Sequence, residues 1–146
     1  MVRPITTHDV GAVSLLLHAA IEGGGHTTIE SLRAAIATPH KVGFCWVGDG
    51  VIQGAITGQC VADESEIHEL AVHRDSRRSG IASAMLHAFL LETARRNAYT
   101  CWLEVRASNT GALAFYGHHG FERAGQRPHY YSNGESAVVL RRGLKA

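Results

Sequence analysis

The chain has 146 residues, of which 45% are hydrophobic and 18% charged, and carries a formal net charge of +1 with histidine neutral. That length suits one compact core, so a single domain over residues 1–146 is expected, and the composition excludes disordered and fibrous classes. Lysine and arginine are scattered apart from small groups at Arg74–Arg78 and Arg141–Arg142, which excludes the broad basic stripe of a nucleic-acid surface.

No apolar run approaches the length of a membrane span, and Met-Val-Arg-Pro is not expected to begin a signal peptide. Cys45, Cys60 and Cys101 are odd in number, far apart and set in apolar runs, as expected of free core thiols in a reducing compartment. The cytoplasm is the expected location, with no membrane and no nucleic acid as partner.

In chain order, Val2 to Ile5 reads as a short strand. Thr6-Thr7-His8-Asp9 then offers caps for an apolar helix running to about Ile21, which Gly23-Gly24-Gly25 stops. Thr27 with Glu30 three residues on has capping-box spacing and predicts a second helix ending before Pro39. From Val42 to Val61 the residues become β-branched and aromatic, broken at Gly48-Asp49-Gly50 by the turn chemistry of a hairpin. Ile67 to Val72 predicts a further strand, with Ile67, Glu69 and Ala71 on one face and His68, Leu70 and Val72 on the other.

Ile81, Met85 and Phe89, with Leu86 and Leu90 beside them, recur at helical spacing and predict the longest helix, from Gly80 to about Asn97. Thr100 to Arg106 alternates, with Cys101, Leu103 and Val105 facing one way and Trp102, Glu104 and Arg106 the other. Asn109 can cap a short helix through Tyr116 to His119, and Gly120 stops it. Phe121 opens an extended segment, and Ser136 to Arg142 reads as a last strand after the loop at Pro128 to Gly134. The order is βααβββαβαββ, an α+β arrangement with a mixed, mostly antiparallel sheet flanked by helices.

Arg77-Arg78-Ser79-Gly80-Ile81-Ala82 lies between a predicted strand and the first turn of the longest helix. A helix start carries unpaired N–H groups and partial positive charge, and Gly80 lets an anion approach that backbone. The plain alternative is a solvated turn before a helix. The stretch resembles the R/Q-x-x-G-x-G/A motif with which acetyltransferases of the GNAT superfamily grip the pyrophosphate of coenzyme A, with Ala82 where glycine is commoner. On both sides the resemblance continues. Leu70-Ala71-Val72 looks like the splayed strand whose backbone pairs with the pantetheine arm. Leu103 to Asn109, followed by Ala114-Phe115-Tyr116-Gly117-His118-His119-Gly120-Phe121, is similar to the bacterial Rim-type enzymes that acetylate the N-terminal alanine of a ribosomal protein. The clear resemblance covers Glu66 to Arg142.

The resemblance implies a GNAT fold and transfer of an acetyl group from acetyl-CoA, without a metal, to the N-terminal α-amine of a protein. A small-molecule amine as acceptor is the alternative, and a non-catalytic acyl-CoA-binding module is a third. It implies Glu104 as general base and Tyr116 as proton donor, with Glu69 as competing base. For the cofactor it implies Leu70, Ala71, Val72, Arg77, Arg78, Ser79, Gly80, Ile81, Ala82, Asn109 and Tyr116, and for the acceptor Tyr130 and Tyr131. The residues themselves leave other uses open: Glu104 paired with Arg106 on one strand face, Tyr116 as a packed aromatic, Asn109 as a cap only. His68, Glu69 and His73 have neither the spacing nor the helix of a zinc signature. His118-His119 is expected to serve terminal helix carbonyls. Monomer and homodimer are equally open.

Overall fold

The computed structural model describes residues 1–20 and 28–144. Along them run β1 (Val2–Pro4), α1 (Val10–Ala20), α2 (Ile29–Ile36), β2 (Lys41–Gly48), β3 (Val51–Val61), β4 (Glu64–Val72), α3 (Ile81–Arg95), β5 (Thr100–Arg106), α4 (Thr110–His118), β6 (Glu122–Arg127) and β7 (Ala137–Gly143), in the expected order. The strands form one sheet in the order β1-β2-β3-β4-β5-β7-β6. Its neighbours are antiparallel except β4 and β5, which run parallel. No helix among the described residues is long and apolar enough to cross a membrane.

Side chains on the two faces of the sheet build two cores. On one face α3 lays Ile81, Met85, Leu86, Phe89 and Leu90 against Ile56, Ile67, Leu103 and Val105, and Tyr116 of α4 joins them. Phe89 is wholly buried, worth about 2–3 kcal/mol by removal of its ring from water. On the other face Val10, Val13 and Leu17 of α1 and Leu32 of α2 pack on Cys45, Ala55 and Ala71. All three cysteines are free and buried, and burial pushes the Cys101 thiol up to about 11, which suits an inert core thiol.

Local chemistry sets the boundaries. Asp49 and Gly50 both have positive φ, 52° and 74°, the geometry of a two-residue type I′ hairpin between β2 and β3. The second helix is capped one residue later than expected. The Thr28 hydroxyl accepts from the Ser31 N–H at 3.0 Å and the Ser31 hydroxyl from the Thr28 N–H at 2.9 Å, so Ser31 and not Glu30 completes the box. Thr27, Ile21 and the Gly23–Gly25 run lie outside the described residues.

The fourth strand departs from simple alternation. It begins at Glu64, and its pairing with β3 shifts register between Thr57 and Gly58, so that Thr57 faces Glu69 while Gly58 faces Ile67. His68 is the extra residue of a β-bulge. In consequence Ile67 belongs to the α3 core while Ala71 belongs to the α1 core, and Leu70 and Val72 pack towards α3. The expected common face for Ile67, Glu69 and Ala71 is therefore wrong, because one inserted residue reverses the pleat. Gly58 sits at the shift, where a Cβ would lie 2.1 Å from the Glu66 carbonyl oxygen and 2.6 Å from the Phe89 ring. Only glycine lets β3, β4 and α3 approach this closely.

At the chain start, the Arg3 guanidinium grips Asp9 through two bonds of 2.7 and 2.9 Å, and Asp9 also accepts from the Thr6 N–H and hydroxyl. These bonds, that from Arg3 foremost, hold the buried carboxyl well below the usual carboxylate range. A lowered folded pKa stabilises above the unfolded value of about 4, and that contribution fades as pH falls through the folded one. Asp9→Asn is expected to lose about 2 kcal/mol of unfolding free energy at pH 7. Urea unfolding should show the gap to the unmodified protein intact down to about pH 4 and narrowing below it.

Candidate active site

Strands β4 and β5 pair only over Glu64–Glu66 with Thr100–Trp102. Beyond that β4 keeps β3 as partner up to Val72, and β5 keeps β7 up to Arg106. The remainder of β4 therefore turns one edge towards the gap. Which amides face it follows from alternation: the His73 N–H bonds the Gln53 carbonyl of β3 at 2.7 Å, so the N–H groups of Leu70 and Val72 point the opposite way. On the same side the Val72 carbonyl accepts from Arg77 Nε at 3.2 Å.

Past β4 the chain enters the loop to α3. Arg78 and Gly80 have φ of 62° and 82°, left-handed values of the kind found where main-chain N–H groups form a concavity suited to an anion. For arginine that conformation costs on the order of 1 kcal/mol, a strain that such loops retain for binding. Around Gly80 a Cβ would meet nothing within 4 Å, so the backbone angle rather than packing explains the glycine. No side chain caps α3, the Ser79 hydroxyl donates to the Ser76 carbonyl, and Arg78, Ser79 and Gly80 are exposed. Ile81 is buried in the α3 core and Ala82 half-buried, so the first turn of α3 is anchored by the residue that follows its open N-terminus.

Two carboxylates lie on one sheet face beside the gap. Glu69, after the bulge, shares the side of Ala71 and approaches the Thr57 hydroxyl at 3.5 Å. Glu104 shares its face with Trp102 and Arg106, as expected from the alternation of β5. It lines an open cleft of about 460 Å³ with Glu64, Glu66, Trp102, Arg127 and Val139. Its partner is not Arg106. Glu104 Oε2 lies 3.2 Å from Arg127 Nε, is closed to solvent and accepts no aligned hydrogen bond.

Arg106 turns instead to the β6–β7 loop. Its guanidinium contacts Glu135 Oε1 at 3.3 Å and lies 4.0 Å over the Tyr131 ring. Glu135 Oε2 accepts from the Ser108 N–H at 2.7 Å, and the Ser108 bonds and Arg106 hold this carboxyl below its ordinary range. The Tyr131 N–H reaches the Glu135 carbonyl at 3.1 Å, and the Tyr130 and Tyr131 rings meet edge to face at 5.1 Å. Tyr130 and Tyr131 thus stand on a clasped loop beside Glu104.

Tyr116 lies on the α3 side, buried, its ring edge-on to Phe115 at 5.2 Å and Phe121 at 5.4 Å. Its hydroxyl makes no hydrogen bond within the described residues, and burial pushes the phenol well above its ordinary value. It therefore stays protonated at neutral pH. Asn109 Oδ1 caps α4 by accepting from the Ala112 N–H at 3.1 Å. His119 bonds the Ser83 hydroxyl at 3.0 Å, so it ties α4 to α3 rather than serving terminal carbonyls. His68 Nε2 lies 2.9 Å from Glu66, and His73 Nδ1 accepts from the Asp75 N–H.

Reading the sequence missed Arg127, the Arg106–Glu135 pair and the clasp onto Ser108. Nothing local marks them. They follow from strand register, since Arg106 and Arg127 both lie opposite Ala137, on either side of β7.

A mixed sheet parted between two parallel strands, with a loop of positive φ leading from the first into a helix, defines an acyl-CoA-dependent transferase fold. Residues 12–121 match the model of the acetyltransferase (GNAT) family, and the chain belongs to that family. It is similar to the [ribosomal protein bS18]-alanine N-acetyltransferase of Escherichia coli K12, 40% identical over 89 residues that cover 59% of this chain and 60% of that protein. The chain thus matches about three-fifths of the length of that relative. The crystal structure of the ribosomal-protein-S18-alanine N-acetyltransferase from Escherichia coli has a TM-score of 0.90 at 28% identity, covering 100% of this chain and 94% of that one. Ard1 from Thermoplasma volcanium gives 0.90 at 25%, covering 100% and 98%.

If Glu135 clasps the loop as described, Glu135→Ala frees the Ser108 amide. Hydrogen exchange is expected to accelerate at Ser108 and Tyr131 at least tenfold while the amides of α3 keep their rates.

Proposed function

We propose that the chain transfers an acetyl group from acetyl-CoA to the N-terminal α-amine of a protein, with a ribosomal-protein alanine as the favoured acceptor. The observation that carries this reading is the parted β4–β5 pair with Glu104 and Glu69 on one face of it and the Tyr116 phenol on the other. Similarity to the alanine N-acetyltransferase of Escherichia coli supports the acceptor class. Three free, buried thiols agree with action in the cytoplasm.

The residues present fit the chemistry of acetyl-CoA. Leu70 and Val72 offer N–H groups to a pantetheine arm, which carries amides and can bind a strand edge as an added strand, with Ala71 holding the strand onto α1. Arg77, Arg78, Ser79, Gly80, Ile81 and Ala82 would hold the pyrophosphate through main-chain N–H groups and positive charge, and the Asn109 side chain would reach the arm. Acetyl-CoA supplies the acetyl group already activated as a thioester.

The protein's own task is proton management. An α-amino group with a pKa near ~8 is mostly protonated at pH 7 and cannot attack until it loses a proton. Glu104 takes that proton directly or through water, with Glu69 as the second carboxylate beside the same gap. Tyr116 keeps its proton at the phenol oxygen at neutral pH, so its O–H can donate a hydrogen bond to the departing thiolate. Tyr130 and Tyr131 present their rings and hydroxyls to the first peptide groups of the acceptor. No metal is needed for any of these steps.

The test is thiol release from acetyl-CoA with free N-terminal peptides, the same peptides with blocked ends but internal lysine, and small amines. Turnover is expected on the free N-terminus, abolished by blocking. Glu104→Gln should lower kcat on the order of a hundredfold and Glu69→Gln much less. Turnover confined to small amines would contradict the protein acceptor. A larger loss in Glu69→Gln would move the base to β4.

A further inference from the structure

Arg127 closes β6, an edge strand whose six residues are all exposed. Opposite it on β7 is Ala137, and the neighbouring row holds Glu104, Val139 and Gly125. With no side chain at Gly125 and only a methyl at Ala137, the Arg127 guanidinium reaches Glu104 on the far side of β7. Nε arrives 3.2 Å from Oε2, while the same guanidinium lies 5.1 Å over the Tyr130 ring. Among the described residues that line the cleft, Arg127 is the cation and Asp63, Glu64, Glu66 and Glu104 are the acids.

The geometry points to Arg127 as the residue that selects acceptors: its guanidinium guards Glu104 until an incoming ammonium displaces it towards Tyr130. This rests on Glu104 being the carboxylate that receives the acceptor. A solvent-excluded carboxylate oxygen without a partner is costly, so in the free enzyme some cation must stand beside it. Arg127 stands there without an aligned hydrogen bond, with 56% of its side chain exposed and an aromatic face within cation–π range as an alternative seat. One cation replacing another keeps the oxygen compensated throughout.

Displacement costs a small amine in full, since it brings its ammonium alone. A peptide recovers part of that cost, because the displaced guanidinium can donate to the carbonyl oxygens of its first peptide groups. Arg127 therefore discriminates against small amines.

The experiment compares steady-state kinetics of the unmodified protein, Arg127→Gln and Arg127→Lys on an alanine-initiated peptide and a small primary amine. Arg127→Gln is expected to lower KM for the small amine about three- to fivefold, the scale of a part-exposed ion pair. The ratio of the small-amine KM to the peptide KM is expected to fall by about the same factor, and Arg127→Lys, which keeps the charge, should stay near the unmodified ratio. An unchanged ratio in Arg127→Gln, a parallel rise of both KM values, or no admission of the small amine would overturn the proposal while leaving the proposed activity standing. Absence of turnover on either acceptor by the unmodified protein would overturn both.

Discussion

Strands β4 and β5 share three residue pairs and then part, and the position of every group at the site is referred to that parting. Its cause lies on the far side of β4. Two residues after the last shared pair, His68 enters β4 as an extra residue against β3, and a bulge bends and twists the strand that carries it. Meanwhile β5 is held straight by seven pairs with β7. One strand bends, its neighbour cannot follow, and the N–H groups of Leu70 and Val72 are left facing a gap. Gly58 makes the bend possible, because any side chain there would collide with the Glu66 carbonyl and the Phe89 ring.

The same bulge arranges the chemistry. By reversing the pleat it moves Glu69 onto the face of Glu104, leaves Leu70 and Val72 packed towards α3, and sends Ala71 into the α1 core. Two carboxylates thus share one side of the gap, and Tyr116 occupies the other. The environments differ as the proposed roles require. Tyr116 is buried among aromatic rings and keeps its proton, whereas Glu104 lines an open cleft with a guanidinium beside it. A proton acceptor in contact with a cleft and a proton donor in a core are consistent with an amine entering from one face and a thiol leaving on the other.

The order of elements was legible because each depends on neighbours in sequence: apolar spacing for α3, Asp49-Gly50 for the hairpin, Asn109 for the start of α4. The start of α3 at Gly80 was legible for the same reason, although the left-handed φ of Arg78 was not. What could not be read depends on partners far along the chain. No pattern in Ile67 to Val72 marks His68 as a bulge, since the cause is the fit of Gly58 and Phe89 from other elements. On β5, Glu104 and Arg106 look like a pair because they are two residues apart on one face. Register offers each a better partner, Arg127 and Glu135, from strands and loops more than 20 residues later.

The central claim is that the gap beside β4 and the loop before α3 together hold acetyl-CoA. Amide chemical shifts and hydrogen exchange measured with and without acetyl-CoA test it most directly. Binding is expected to slow exchange at Leu70, Val72 and Gly80 to Ala82, and to leave the amides of α1 and β6 unchanged. Protection centred on α1 or β6, or saturating binding that leaves Leu70 and Val72 untouched, would contradict the account.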